Sequence, residues 1–326
     1  MRMGTKSCLL VALFLILVGL ILFGVIMTAL KWDYTKLSTA KYVTNRHEIS
    51  EDFQTISITA KTANVVLLPA EDSNCTVICR EQEKQLHAVE VRNGALVIEV
   101  VDTRKWYDYI SLFSFESPAI TVYLPQEAYD ALTVKTNTGN VEVPSAFRFE
   151  TIEITASTGN IKNEASVAGE LKIQTSTGNI TVSGVQADSI KLSASTGKIT
   201  VSDTACAGDV SLRVSTGNTK LSQLTCGSLS SIGSTGDLKL QNTVVSRRLL
   251  VERDTGNVQF DKCDAAEIRV TTDTGNVTGT LLTEKLFDAK SDTGKVEVPS
   301  PAGTEPCWIR SDTGNIRITV EDAERS

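Results

Sequence analysis

The chain has 326 residues and a net charge of −7, with 41% hydrophobic and only 6% aromatic residues. The acidic balance argues against nucleic acid as a partner and gives no means of holding an anionic membrane surface. The length is ample for one elongated domain once an apolar N-terminal segment is set aside.

Residues 8–30 form an uninterrupted apolar segment without charge or proline. As a helix they span about 34 Å, enough for the hydrocarbon core of a bilayer. A cleaved signal peptide is the alternative, but the run exceeds the usual apolar core of such a peptide and no A-x-A site follows it. Because Arg2 and Lys6 precede the helix, residues 1–7 are expected to be a cytoplasmic tail. We therefore predict a single-pass anchor in the cell membrane, with the rest of the chain extracytoplasmic.

The region after the anchor is rich in strands but has no regular period. Residues 31–50 are polar and are predicted to form a stalk. Within residues 51–135, short alternating runs indicate strands, residues 61–64 resemble a degenerate turn, and Asn93-Gly94 is a hairpin-type turn signal. This part is predicted to be an irregular β cap, since the end units of a repeat expose backbone edges.

Residues 102–117 concentrate aromatic side chains in an otherwise aromatic-poor chain. One interpretation is a loop that folds back onto the core, because aromatic clusters usually pack. The other is a binding lip, whose exposed rings stack on a sugar or enter a lipid interface. The candidate binding residues are Trp106, Tyr107, Tyr109, Phe113 and Phe115.

Residues 136–320 repeat a Thr-Gly turn every 19 or 20 residues, and a charged tail follows at 321–326. Apolar and polar residues alternate on both sides of each turn, which indicates half-buried strands. Glycine suits the sharp corner because it accepts a positive φ. The ten turn glycines are Gly139, Gly159, Gly178, Gly197, Gly217, Gly236, Gly256, Gly275, Gly294 and Gly314.

A fixed period of this length is typical of a solenoid. The leucine-rich motif is absent and helical repeats have longer periods, so the sequence predicts an all-β fold. We expect a β-helix or β-roll of about ten coils with two to three strands each, about 43 Å long at the spacing of paired strands. A short third segment is expected near the small-residue positions Ala168, Ala187, Cys206, Cys226, Val245 and Ala265.

The repeat stacks the residues that flank each glycine into columns. The residue after the glycine is Asn in seven coils, and stacked amides can hydrogen-bond along a rod. Four coils spell Asp-Thr-Gly, the short signature of aspartic proteases, but evenly stacked copies do not make the proton-sharing pair that such an enzyme needs. A calcium-binding G-G-x-G-x-D repeat is absent, so neither a metal nor a cofactor is expected.

Cys206 and Cys226 each lie nine residues after a turn glycine. They are therefore expected at equivalent sites of adjacent coils, about 4.8 Å apart, which would permit a disulfide. Two stacked buried thiols are the preferred interpretation, because other coils place Ala or Val at this site.

Catalytic residues are scarce. His47 and His87 are the only histidines, one in the predicted stalk and one beside a hairpin, so a histidine-based triad or metal site is not expected. Arg247, Arg248, Arg253 and Asp254 form the one cluster that a polysaccharide-acting β-helix enzyme could use, although charges on an outer strand face are usually just solvated. The chain is predicted not to be an enzyme.

Three segments together resemble a known family: ISITAKTANVVLLP, AITVYLPQEAYDALTVKTNTGNVEV, and the iterated STGNI or DTGNV coils. The chain is similar, over about residues 50–320, to the bacterial membrane-anchored "putative adhesin" β-solenoid family, a domain of unknown function. The resemblance implies a surface-exposed, non-enzymatic module, in a family with some members associated with cell-envelope stress.

Two functions remain open from the sequence. In the first, the rod is a binding or scaffold module at the cell envelope whose partner is cell-wall glycan or another envelope protein. In the second, it is a stress-sensing or regulatory protein that acts through a membrane partner, because the cytoplasmic tail is too short for a signalling domain. A polysaccharide-acting enzyme is a distant third.

Overall fold

The structure is a computed structural model that describes residues 5–33, 41–105 and 117–321. Helix α1 runs over Thr5–Ala29. It contains Leu9–Ala29, a segment long and apolar enough to cross a membrane, and most of its apolar side chains are exposed. The helix begins slightly earlier than the predicted segment 8–30 because Thr5 and Lys6 continue its first turn.

The strands of the N-terminal part are β1 (Tyr42–Ile49), β2 (Thr55–Ala60), β3 (Asn64–Pro69), β4 (Cys75–Gln82), β5 (Gln85–Arg92), β6 (Ala95–Asp102) and β7 (Ala119–Leu124). Those of the repeats are β8 (Ala128–Thr138), β9 (Val141–Val143), β10 (Arg148–Thr158), β11 (Ile161–Asn163), β12 (Ser166–Val167), β13 (Glu170–Thr177), β14 (Ile180–Ser183), β15 (Gln186–Ala187), β16 (Ser189–Thr196), β17 (Ile199–Cys206), β18 (Asp209–Thr216), β19 (Thr219–Cys226), β20 (Ser228–Thr235), β21 (Leu238–Thr255), β22 (Val258–Thr274), β23 (Val277–Leu281), β24 (Leu286–Thr293), β25 (Val296–Glu297), β26 (Pro306–Thr313) and β27 (Ile316–Val320).

The repeats stack as parallel strands in register, so equivalent side chains form columns along a rod. Ile154 pairs with Ile173, and Ile173 pairs with Leu192 in the next coil. All three are at most 2% exposed, while their neighbours in sequence point outward. One continuous apolar core therefore runs through the coils, and the predicted all-β solenoid of about ten coils is confirmed.

The Thr-Gly corner requires glycine for two reasons. Gly178 has a φ of 148°, a conformation that residues with a Cβ rarely adopt. A Cβ at this position would also overlap the carbonyl oxygen of Gly159 in the neighbouring coil. The corners are thus packed backbone against backbone, which explains why the motif recurs so strictly.

The last two coils are stacked in the reverse of their chain order. The second half of β22 pairs with β26, and β24 pairs with the opposite edge of β26. Likewise β27 lies between β23 and β25. The final coil is thus inserted beneath the coil that precedes it in sequence. The repeat period cannot reveal this order, because every coil carries the same alternation.

The N-terminal end has a corresponding arrangement. The first coil, β2 and β3, has β8 and β9 on one side and β6 and β7 on the other. Antiparallel strands then close the end, with β5 on β6, β4 on β7, and β1 on β4. The degenerate turn at residues 61–64 is the corner of this first coil, because Asn64 Oδ1 accepts a hydrogen bond from Asn140 N–H at 2.8 Å.

Two details of the sequence prediction are wrong. Residues 31–50 are not all stalk, because β1 pairs with β4 along its whole length. This edge strand, YVTNRHEI, is polar and only half-buried on one face, so its hydrophobic alternation is weak. Ala168 is exposed, and the buried residue of that short segment is Val167, which pairs with Phe149.

Candidate functional site

The face that follows the glycine corner carries a long open groove with a volume of about 840 Å³. Two rows of outward side chains line it. The first row is the residue directly after each turn glycine, and the second is the residue two positions further along, because alternate residues of a strand share a face. Six coil intervals separate Lys198 at one end from Lys295 at the other, about 29 Å at the spacing of paired strands.

The first row is a hydrogen-bonded ladder. Asn160 N–H donates to Asn140 Oδ1 at 2.8 Å, and Asn179 N–H donates to Asn160 Oδ1 at 2.9 Å. The predicted bonding along the rod is therefore mainly from backbone N–H to side-chain oxygen rather than from amide to amide. The Asn ladder runs in spatial order through Asn64, Asn140, Asn160, Asn179, Lys198, Asn218, Asp237, Asn257, Asn276, Asn315 and Lys295.

The ladder has one internal gap. Lys198 N–H donates to Asn179 Oδ1 at 2.9 Å, but the lysine side chain offers no acceptor to Asn218 in the next coil. Elsewhere the amide oxygens are used within the ladder, so the groups that it presents to the groove are mainly N–H donors.

The groove carries a local excess of positive charge. Among the described residues, no carboxylate lies within ion-pair distance of its four lysines, Lys198, Lys220, Lys239 and Lys295. Arg317 is neutralised by Glu297, with Nε and Oε2 2.6 Å apart. Five basic and two acidic side chains line the groove, a balance of +3, in a chain whose net charge is −7.

The charges lie towards the two ends of the groove. Lys198, Lys220 and Lys239 occupy three consecutive coils, while Lys295 lies on the outermost coil at the far end. The two coils that follow Lys239 present neutral hydrogen-bonding groups, including Gln259, and the next coil carries Arg317, which is paired with Glu297. Such a surface can hold an elongated ligand that carries hydroxyl groups and several negative charges.

The two carboxylates of the groove do not make an acid–base pair. Asp237 and Glu297 are four coil intervals apart, about 19 Å along the rod. Glycoside hydrolysis needs two carboxyl groups about 5–9.5 Å apart. The groove is therefore arranged for binding rather than for this chemistry.

The predicted turn column lies at one corner of the rod. Its glycines follow chain order as far as Gly275, after which Gly314 precedes Gly294. The Asp-Thr-Gly carboxylates are exposed on the same corner and outside the groove, at Asp254, Asp273, Asp292 and Asp312. The predicted binding lip, Trp106, Tyr107, Tyr109, Phe113 and Phe115, lies outside the described residues.

The structure places Cys206 and Cys226 side by side as buried free thiols, on strands paired in register. Cys206 Sγ donates to the carbonyl oxygen of Asp188 at 3.3 Å. Burial raises the pKa of the Cys226 thiol to about 12. Both line a second groove, of about 740 Å³, at another corner of the rod.

The predicted arginine cluster does not form. Arg253 points into the core, where its guanidinium donates to Ser231 O at 3.0 Å and to Ser231 Oγ at 2.8 Å, and burial lowers its pKa to about 10. Arg247 pairs with Asp209 and Arg248 with Glu267 on the outer surface. The sequence did not reveal the inward orientation, because Arg253 replaces a small or apolar residue at a core position.

Sequence reasoning missed the lysine groove, although a signal was present. Lys198 and Lys295 replace Asn directly after a turn glycine, while Lys220 and Lys239 lie two residues after that position in their own coils. In separate repeats these are isolated surface lysines. Only the stacking of the coils brings these four lysines onto one face.

Comparison with protein families identifies the chain. A family model described as Toastrack DUF4097 matches residues 53–210 and again residues 199–326. The chain belongs to this family. The double match follows from the repeat, because equivalent coils recur along the rod. It confirms the resemblance to a β-solenoid domain of unknown function.

Solved structures similar to the chain include a "putative adhesin" from Parabacteroides distasonis, with 13% identity, a TM-score of 0.47, and coverage of 86% of this chain and 98% of that one. A "putative lipid binding protein" from the same organism has 14% identity, a TM-score of 0.47, and coverage of 85% and 97%. A "putative adhesin" from Bacteroides fragilis has 11% identity, a TM-score of 0.42, and coverage of 86% and 97%. No curated protein matches the chain.

Proposed function

We propose that this Toastrack protein is a membrane-anchored, non-catalytic binding module that holds an extended anionic glycan in the lysine groove. The observation that carries the proposal is the set of four groove lysines, two within the Asn ladder and two in the neighbouring row, that have no ion-pair partner among the described residues. Their ammonium groups would meet carboxylates or phosphates of the polymer, and the ladder amides would donate to its oxygens.

Charge complementarity favours a polyanion over a neutral polymer. The chain as a whole is acidic, so an excess of +3 in one groove is a local reversal rather than a general property of the surface. The described lining residues of this groove contain no aromatic side chain on which a neutral sugar ring could stack. A shallow groove of many exposed contacts suits a repeating ligand, because weak contacts at several coils add up along the polymer.

The N-terminal helix supports attachment to the membrane. Its 21-residue apolar span is long enough to cross the bilayer. With Arg2 and Lys6 on the cytoplasmic side, the rod lies outside the cytoplasm, where an anionic envelope glycan would be available. The absence of an acid–base carboxylate pair in the described groove supports binding without cleavage.

The test is a binding measurement on the full chain in detergent, with polygalacturonate, a polyol-phosphate polymer and neutral dextran as probes. The variant K198Q/K220Q/K239Q/K295Q removes the four groove lysines. We expect the wild type to bind at least one anionic polymer but not dextran, with an affinity that falls as salt rises. The variant should bind about tenfold more weakly or worse, since exposed charge contacts contribute about 0.2–1 kcal/mol each.

The matched control is K135Q/K172Q/K191Q/K290Q, which removes the same charge from the face that precedes the corner. This control should bind as the wild type does. An equal loss in both variants would assign the effect to net charge and reject the groove. Recovery of a membrane protein, and of no glycan, from intact envelopes would favour the regulatory alternative.

A further inference from the structure

A cluster of buried ligand-type side chains lies in the antiparallel cap, far in sequence from the groove. Cys79 and Glu81 lie on β4 and His87 on β5. One potential ligand atom from each of the three lies within 4.8 Å of the others. Cys79 is fully buried, Glu81 is 1% exposed and His87 is 7% exposed. These side chains are separated from the groove proposal in both position and chemistry.

The carboxylate of Glu81 is already fixed by hydrogen bonds. Its Oε2 accepts from the backbone N–H of His87 and pairs with His87 Nδ1, both at 2.6 Å. Its Oε1 accepts from Asn45 Nδ2 at 2.7 Å. The cluster is thus held by three strands, β1, β4 and β5, and its geometry does not depend on a loop.

Two imidazole nitrogens beside the cluster lack a hydrogen-bond partner among the described residues. His87 Nε2 is buried and has no hydrogen-bond partner among the described residues. A buried polar nitrogen without a partner is costly, and such groups usually bind something. A second imidazole nitrogen in the same condition, His47 Nε2, lies on β1, two residues along the same strand face from Asn45.

We propose that Cys79 Sγ, Glu81 Oε2 and His87 Nδ1 bind one divalent zinc ion, which takes the place of the hydrogen bond between Oε2 and Nδ1 and fastens the cap strands to one another. Zinc accepts sulfur, nitrogen and oxygen ligands together, at about 2.0–2.3 Å. Around a tetrahedral ion those lengths place the ligand atoms about 3.4–3.6 Å apart, so side-chain movements of about 1 Å bring the present cluster to that geometry. His47 Nε2 or a water molecule completes the site.

The charges of such a site balance. Binding of the ion releases the Cys79 thiol proton to solvent, and the resulting thiolate together with the Glu81 carboxylate neutralises the two positive charges. With a neutral imidazole from His87, the buried site has no net charge, which removes the main cost of placing ions in a core. Without a cation, burial and the neighbouring Glu81 raise the pKa of the Cys79 thiol to about 12.

The chain supplies a matched control in Cys75. It lies on the same strand and the same buried face as Cys79, and burial likewise raises the pKa of its thiol to about 12. It is four residues, about 13 Å, from Cys79 and outside the cluster. Cys75→Ser and Cys79→Ser therefore make the same chemical change at buried sites of the same strand.

The experiment uses the full chain in detergent, loaded with zinc or cobalt, dialysed, and analysed by elemental mass spectrometry and absorption spectroscopy. We expect one zinc per chain in the wild type and in C75S, and less than 0.1-fold of that occupancy in C79S and H87Q. The cobalt form of the wild type and of C75S should show thiolate-to-cobalt charge-transfer absorption.

A wild type that retains neither metal after dialysis overturns the proposal, as does equal metal loss in C75S and C79S. If C79S fails to fold, the cobalt spectrum of H87Q decides the question, because a folded H87Q that keeps the full charge-transfer band would place the bound thiolate at another site. Binding of glycan by the groove is not involved in any of these measurements.

Discussion

Lys285 is the most buried cation of the rod and lies where the last two coils exchange their order. Its side chain has no exposed surface. Its ammonium group pairs with Asp264 Oδ1 at 2.6 Å, donates to the carbonyl oxygen of Ala265 at 2.8 Å, and pairs with Glu305. These three partners come from the coil below and from the inserted final coil, so we expect Lys285→Met to loosen this end of the rod.

The expected loss of stability follows from the groups that Lys285→Met leaves without their charged partner. The carbonyl oxygen of Ala265 loses a charged donor, which costs about 1.5–3 kcal/mol. Breaking a fully buried ion pair costs about 3–5 kcal/mol, but the side chains of Asp264 and Glu305 are 22% and 44% exposed and can regain water. We therefore expect a loss of about 2–4 kcal/mol, confined to the C-terminal coils.

Amide hydrogen exchange measures this loss locally, since stability in a repeat is approximately a sum of neighbouring interfaces. Peptides from β24 and β26 should exchange about 30- to 700-fold faster in K285M, because each 1.4 kcal/mol is a factor of ten. Peptides from the middle of the rod should be unchanged. Lys290→Met is the control, because Lys290 and its partner Asp292 are 69% and 61% exposed and such pairs contribute little. Equal protection in K285M and K290M would refute the reasoning.

Three further predictions concern other parts of the rod. Lys198→Asn restores the missing acceptor of the Asn ladder and should raise the free energy of unfolding by about 0.5–1.5 kcal/mol in denaturant titration. No gain would mean that solvent already satisfies the backbone N–H of Asn218. The Arg104 guanidinium holds the pKa of the Asp102 carboxyl well below its usual range. This stabilisation is present above about pH 4 and is lost as the pH falls further, so the melting-temperature difference between wild type and D102N should shrink only under acid conditions. Alkylation of the denatured chain without reductant should add two mass shifts at Cys206 and Cys226, and their absence would indicate a disulfide.

The sequence predicted the repeat because every coil obeys the same steric rule. A Cβ on any corner glycine would strike the backbone of its neighbour, so the Thr-Gly motif survives in each of the ten repeats. Inward and outward residues likewise alternate on both sides of each corner. The corner, the strands and the core columns could therefore be inferred from local pattern alone.

The order of the coils and the two clusters could not be inferred in that way. Identical alternation makes any coil a suitable neighbour for any other, so nothing local indicated that the coil ending at Val320 lies beneath the one ending at Glu297. The groove lysines are far apart in sequence and meet only after stacking. His87 reaches Glu81 because β5 turns back beside β4, a contact that depends on antiparallel pairing in the cap.

Both ends of the rod carry strands that limit the exposure of unpaired backbone. A solenoid exposes unpaired backbone at its last coil, and such edges invite association with other chains. At the C-terminal end β26 is covered on both sides, by β22 and β24, and the start of β27 at Ile316 and Arg317 lies between β23 and β25. The exposed edge is instead β24, which carries Asp288, Lys290 and Asp292, together with the two-residue strand β25. Charged edge strands and very short ones are poor templates for pairing, so the exchange of coil order places most of the exposed edge on a segment suited to face water.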